Sequence, residues 1–252
     1  MKDAQGLRVA TFNIRNGRAF DRANSWPFRR GATLATLRQL DADVIGLQEV
    51  YGFQLRWLLR HLPGYVAVGD GRNGEGRGER SPLLVRRSAA AVLKADTHWY
   101  GGYGPGSRLA GARFPRIATV AYLAVEPAGP TVQVVNTHLD EASAPNRLSS
   151  AEELVTLIDS QVPHLVLGDL NARPGSPVLA TLLDARLEAA TPAGGAGTAH
   201  RFRGGTDGPQ LDHILVSRHW RIDGCTVATR RTGSRLPSDH WPLVADLSLS
   251  RT

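Results

Sequence analysis

Residues 131–176 read TVQVVNTHLDEASAPNRLSSAEELVTLIDSQVPHLVLGDLNARPGS. Two β-branched apolar runs, 131–139 and 164–170, enclose a helical pattern at 147–160. Leu148, Leu154, Val155 and Ile158 give that pattern one apolar face. The unit therefore reads strand, helix, strand. Both strands end on polar residues: His138 in NTHLD, and Asp169 with Asn171 in GDLN.

The same pattern extends outward. Apolar runs at 7–14, 44–50, 83–87, 116–125, 211–217 and 243–249 read as strands, and 28–40, 51–61 and 176–184 as helices. Segment 116–139 reads as a hairpin turning at Glu126–Pro130. Alternating elements with some adjacent strands predict a mixed α/β fold. No composition shift or repeat divides the chain, so residues 1–252 are expected to form one domain, at the upper end of the usual size.

The chain has 42% hydrophobic and 21% charged residues, as in a globular protein. No apolar run nears the roughly 20 residues of a membrane span. The N-terminus has no long apolar stretch of the secretory kind, which predicts a cytoplasmic location, with secretion after removal of a leader left open. Cys225 is the only cysteine, so an intrachain disulfide is excluded. It is read as a packing residue in an irregular stretch after a strand. No motif calls for a partner chain, and a monomer is expected. The net charge of +7 suits a polyanionic ligand. Its basic residues are nearly all Arg, in a chain biased toward Ala and Gly, which tempers that inference.

Polar residues recur at strand ends: Asn13, Glu49, His138, Asp169 with Asn171, Asp212, and Asp239 with His240. One Asp or Asn after a strand is commonly a turn former or helix cap. Repetition of metal-ligand and acid–base types at many strand ends is not turn chemistry, because such ends can converge on one cleft. Carboxylate and amide oxygens suit a hard cation such as Mg²⁺ or Mn²⁺, and Glu49, Asp239 and the Asp169/Asn171 pair supply them. An imidazole or carboxylate can orient and deprotonate a water. Together these residues suit phosphoester hydrolysis.

TFNIRNG (11–17), GLQEV (46–50), NTHLD (136–140), GDLN (168–171) and SDHWP (238–242), in this order, resemble the endonuclease/exonuclease/phosphatase superfamily, the group of DNase I, and its bacterial branch in particular. The resemblance covers essentially the whole chain. It implies a four-layer α-β-β-α sandwich with two packed mixed β-sheets. It implies that Glu49, Asn13 and Asp239 lie at the metal, and that Asp169 and Asn171 position the water and contact the phosphate. His240 would contact the scissile phosphate, with Asp212 orienting it. His138 would be the second histidine, paired with Glu79, and Arg116 would clamp phosphate. One departure is Arg15, which stands where some members carry an acidic ligand. This, and His138 in place of a tyrosine, move the chain away from AP endonucleases.

His200 and Arg201 precede the Asp212 strand and are candidates for the substrate side, against an ordinary exposed loop. Arg113, with Arg72, Arg77, Arg80 and Arg108, lies in Gly-rich loops that could grip phosphate. His213 follows Asp212 and should face the opposite side of its strand. The first functional expectation is a divalent-metal-dependent nuclease cleaving phosphodiester bonds in DNA, or RNA. The alternative is a phosphatase or small phosphodiesterase acting on a sugar phosphate, inositol phosphate or phospholipid head group.

Overall fold

The computed structural model describes residues 6–125, 129–231 and 233–250. The elements in chain order are β1 (Gly6–Asn13), α1 (Trp26–Leu40), β2 (Val44–Gln48), β3 (Val50–Tyr51), α2 (Gly52–His61), β4 (Tyr65–Val68), β5 (Glu79–Arg80), β6 (Leu83–Arg86) and β7 (Ala90–Trp99). They continue with β8 (Ile117–Val125), β9 (Thr131–His138), α3 (Ala144–Thr156), β10 (His164–Asp169), α4 (Pro177–Asp184), β11 (Leu187–Ala189), β12 (Asp212–Ser217), β13 (Trp220–Val227) and β14 (Leu243–Leu249).

Two six-stranded mixed sheets result, ordered β13-β14-β1-β2-β6-β4 and β11-β12-β10-β9-β8-β7. Pairs β1/β2 and β9/β10 are parallel. Their neighbours on the far side, β14, β6, β8 and β12, run antiparallel to them. The period of two sends alternate side chains to opposite faces. Val9, Val44, Val134 and Leu167 join other residues of both sheets in the central core. Ala10, Phe12, Ile45 and Leu47 face outward and pack with Trp26, Leu37 and Leu58 of α1 and α2. Val135, Val166 and Leu215 do the same with Leu154, Leu179 and Leu182 of α3 and α4. The layers are therefore helices, sheet, sheet, helices. Strands buried on both faces explain why the central runs are continuously apolar.

α3 begins earlier than the apolar pattern suggested. Ser143 accepts a hydrogen bond from the Asn146 amide and Pro145 sits in the first turn, so the helix starts at Ala144. It ends at Thr156, which leaves Ile158 beyond it but still packed on the same core. The β8–β9 hairpin forms as expected, although residues 126–128 of its turn lie outside the described residues. Cys225 lies inside β13, opposite Ala245, and not in an irregular stretch. Burial pushes its thiol up to about 12, so it is an inert packing group. No helix among the described residues is long and apolar enough to cross a membrane.

Polar side chains join the two sheets beneath the strand ends. Gln48 donates to Asn136 Oδ1 (2.7 Å) and Thr11 Oγ1 (3.0 Å). Asn136 donates in turn to the carbonyls of Leu47 and Pro82, both at 2.9 Å. Gly46 makes room for this crossing: a Cβ there would stand 2.6 Å from Asn136 Oδ1. Both amide nitrogens of the crossing are matched to acceptors, as buried donors usually are, while Gln48 Oε1 has no partner among the described residues.

Candidate active site

Register aligns the site. Asp169, at the end of β10, pairs with His138 on β9 and with Asp212 on β12. Asn13 ends β1 beside Gln48 of β2, and Glu49 follows at once. Both sheets thus deliver their polar ends to one edge of the sandwich. Asn13 links them: its Nδ2 donates to Asp169 Oδ2 (2.9 Å) and Glu49 Oε1 (3.0 Å). Its Oδ1 accepts the Arg15 amide at 2.9 Å. Asn13 is therefore a brace between two carboxylates, with its oxygen already turned to the backbone.

Glu49 and Asn171 hold left-handed backbone, with φ of 60° and 47°. Non-glycine residues rarely adopt it, and such strain concentrates at functional sites. The Glu49 carboxylate also accepts the Asn16 amide at 2.8 Å. The Asn171 amide donates to Asp169 Oδ1 at 3.0 Å, and its side chain reaches His138 Nε2 and the Leu139 carbonyl, both at 3.1 Å.

His240 joins from the loop before β14, where Ala199 pairs with it across an isolated bridge. Its Nδ1 lies 2.8 Å from Asp212 Oδ2 and 3.8 Å from Asp169 Oδ2. Burial opposes a charge on the ring, but Asp212 and then Asp169 outweigh it and raise its pKa. His138 Nε2 lies 3.7 Å from the same Asp169 Oδ2, but burial first, and then Arg116, hold its pKa well below the ordinary value. Burial and the nearby Asp212 raise the carboxyl of Asp169.

Asp169, Asp212 and His240 have ligand-type atoms within 4.8 Å of one another. Asp212 is fully buried and already engaged with His240, however. Glu49 and Asp239 line the open cleft instead, together with Asp169, Asn171, His138 and His240. The cleft holds about 470 Å³. Arg15 lies across it: bonded to Asp21 at 3.1 Å, it also puts Nη1 3.8 Å from Asp239 Oδ2. A fixed cation thus stands near the place of the acidic ligand that the sequence lacks.

Several expected partners are arranged differently. Glu79 is brought to the cleft by the β3–β5 ribbon, where it pairs with Tyr51. Its carboxylate bonds Arg72 (2.9 Å), and no bond to His138 is found among the described residues. Burial raises its pKa against the pull of Arg72. Arg116 is buried in the cleft wall and pairs with Glu141. His200 is turned inward against Trp241, ring centroids 4.5 Å apart, and burial lowers its pKa to about 4; Arg201 lines the cleft in its stead. Arg113 is exposed over Phe114 and does not line the cleft. His213 faces away as expected, with Nε2 2.8 Å from the Ala172 carbonyl.

Arg72, one of the loop arginines expected to grip phosphate, does line the cleft, whereas sequence reasoning gave no role to Glu141 and Tyr51, just beyond the motif strings, or to Asn16, within TFNIRNG. It also left Arg29 without a role. This buried residue of α1 donates to the carbonyls of Ile14, Arg15 and Pro237, which ties the loop after Asn13 to the loop carrying Asp239.

The sequence profile of the Endonuclease/Exonuclease/phosphatase family matches residues 10–240, nearly the whole chain. The chain belongs to the endonuclease/exonuclease/phosphatase family. As its members are, it is a phosphoester hydrolase. A family protein from Bacteroides vulgatus has a similar structure, at 30% identity, covering 97% of this chain and 99% of that one with a TM-score of 0.90. A family protein from Bacteroides thetaiotaomicron is 25% identical, covering 98% and 99%, with a TM-score of 0.89. A mannosyl-6-phosphatase from Bacteroides thetaiotaomicron is also 25% identical, covering 96% and 100%, with a TM-score of 0.88. No curated protein sequence matches the chain. The four-layer sandwich of two packed mixed sheets is the fold of these relatives.

Proposed function

We propose that the chain hydrolyses phosphomonoesters of small polyhydroxylated molecules, assisted by a divalent cation, Mg²⁺ or Mn²⁺, held at Glu49 and Asp239. The observation that carries this reading is the composition of the cleft wall. Arg72 is matched by Glu79 and Arg116 by Glu141. A polyanionic strand gains affinity from uncompensated cations that track its phosphates, and wall carboxylates work against it. Hydroxyl groups both donate and accept, and paired carboxylates and guanidinium groups match them. The cleft volume also falls in the range of small-molecule sites. A similar structure bearing the name mannosyl-6-phosphatase supports the same choice.

The donor set fits the cation. Glu49 and Asp239 are hard carboxylates at the open side of the site, and Glu49 is fixed by two N–H donors. When bound, the cation neutralises phosphate charge. The chain's own groups do the rest. Asp212 takes the Nδ1 side of His240 and leaves Nε2 for a phosphoryl oxygen. Asp169, held by Asn13 and the Asn171 amide, orients a water and accepts its proton. A raised carboxyl pKa makes it a more competent base. The water oxygen bonds to phosphorus, the ester P–O bond breaks, and the released alkoxide takes up a proton.

Nuclease activity is the second reading, favoured by the net charge of +7. A panel with Mg²⁺ and Mn²⁺ separates the two. Phosphate release from hexose monophosphates, with plasmid and oligonucleotides left intact, is expected. Nucleic acid cleavage without phosphate release from any small ester would overturn the first reading.

A further inference from the structure

Beside the cleft lies a second cavity of about 420 Å³, and the two share Tyr51 and Arg72. Three segments build it. The loop after β1 contributes Arg18, the first turns of α2 contribute Phe53 and Arg56, and the Gly-rich loop contributes Arg77. Arg56 folds back over the start of its helix, with Nη1 3.4 Å from where a Cβ on Gly52 would stand. Adjoining cavities differ sharply in charge. The catalytic cleft is lined by five carboxylates, Glu49, Glu79, Glu141, Asp169 and Asp239, whereas no acidic side chain among the described residues lines the second cavity.

Counter-charges inside the fold account for only part of this cluster. Arg72 is held by Glu79 at 2.9 Å. Arg77 meets Glu75 at 3.0 Å, but both side chains are largely exposed, and solvent screens such a pair. Arg18 and Arg56 have no carboxylate partner among the described residues. Arg18 lies instead over the Tyr51 ring, 4.4 Å from its centroid, and Tyr51 stacks with the part-exposed Phe53. The ring contact fixes one guanidinium while leaving its N–H edge to a ligand. Converging guanidinium groups in an acid-free hollow are arranged for an anion, and the fork of each matches phosphate oxygens.

We infer that this cavity binds a second phosphoryl group of the substrate, so that one phosphate is hydrolysed at His240 while another is held by Arg18 and Arg56. The inference rests on the phosphoesterase reading of the adjoining cleft, with which it shares two walls. The second phosphate has two possible sources, a bisphosphorylated small molecule or the next phosphate of a short oligonucleotide, and both present the same chemistry to the arginines.

The test is calorimetric binding in excess EDTA, with a hexose monophosphate, a hexose bisphosphate and a 5′-phosphorylated dinucleotide as probes. Wild type should bind the bisphosphate, or the dinucleotide, about tenfold more tightly than the monophosphate. An Arg18→Gln/Arg56→Gln double variant should lose that gain and keep its monophosphate affinity. Arg18→Lys/Arg56→Lys should recover part of it, which separates lost charge from lost folding. Which probe shows the gain identifies the source. Equal affinity of wild type for all three probes, or an unchanged ratio in the glutamine variant, overturns the inference. Absent turnover with an intact, arginine-dependent ratio would count against the phosphatase reading and support the subsite.

Discussion

Asn13, at the end of one sheet, donates to Asp169, at the end of the other, across 2.9 Å. The same amide nitrogen reaches Glu49 at 3.0 Å. One side chain thus spaces the carboxylate assigned to the water from the carboxylate assigned to the cation. Asn13→Asp would set three carboxylates against each other. A fall in kcat of roughly 10²-fold or more, with a smaller change in KM, is expected from steady-state phosphate release. Unchanged kcat would remove Asn13 from this role.

In the proposed mechanism Asp212 acts through His240. Asp212→Asn keeps the shape but replaces the acceptor that fixes the ring, with Nδ1 now 2.8 Å from Oδ2. A drop of about 10²–10⁴-fold in kcat is expected, as for loss of acid–base function. The pH profile should shift as well, because Asp212 is the strongest influence raising the pKa of His240 against burial. A shift in thermal stability alone, with kcat and pH profile intact, would make Asp212 merely structural.

Gly46→Ala should destabilise the fold without touching the cleft. Its Cβ would stand 2.6 Å from Asn136 Oδ1 and press on the polar crossing between sheets. Overpacking of this kind costs about 1–3 kcal/mol, and a chain of this size loses roughly 2–4 °C in Tm for each. An unchanged Tm would mean that the crossing relaxes freely.

His213 and His138 should each withdraw stability in mild acid. Burial lowers the pKa of His213 below 6.5, and burial holds His138 well below it. At these two sites the folded chain therefore binds fewer protons than the unfolded chain as pH drops below 6.5, opposite in sign to the raised carboxyls of Asp169 and Glu79. The stability contribution of the two histidines is full above that value, and it is lost progressively down to the lowered folded values. Between pH 7.5 and 5 the Tm of wild type should drop relative to that of His213→Gln, each referred to its own value at pH 7.5. A His213→Gln profile parallel to wild type would contradict this assignment.

The eight strands read from sequence are β1, β2, β6, β8, β9, β10, β12 and β14, the inner strands of the two sheets. Those unseen, β4, β7, β11 and β13, are the edges, besides the short β3–β5 pair. An inner strand is buried on both faces and spells a continuous apolar run. An edge such as β7, with Lys94, Asp96 and Thr97, faces solvent and carries no such signal. The candidate site could be read for a related reason: Asn13, His138, Asp169 and Asp212 sit at the ends of those inner strands. Partners from loops were not. The bond of Glu79 to Arg72 and the burial of His200 under Trp241 depend on where loops fold back, which residue spacing does not encode.

The proposed hydrolytic centre depends on a cation held at Glu49 and Asp239. Its most direct test is titration of Mg²⁺ or Mn²⁺ into EDTA-stripped wild type and Glu49→Gln protein, read as phosphate release from a hexose monophosphate. Wild type should be silent until metal is added and then recover fully, while Glu49→Gln stays silent over the same range. Full activity of wild type in EDTA, or recovery of Glu49→Gln at the same metal concentration, would contradict the account.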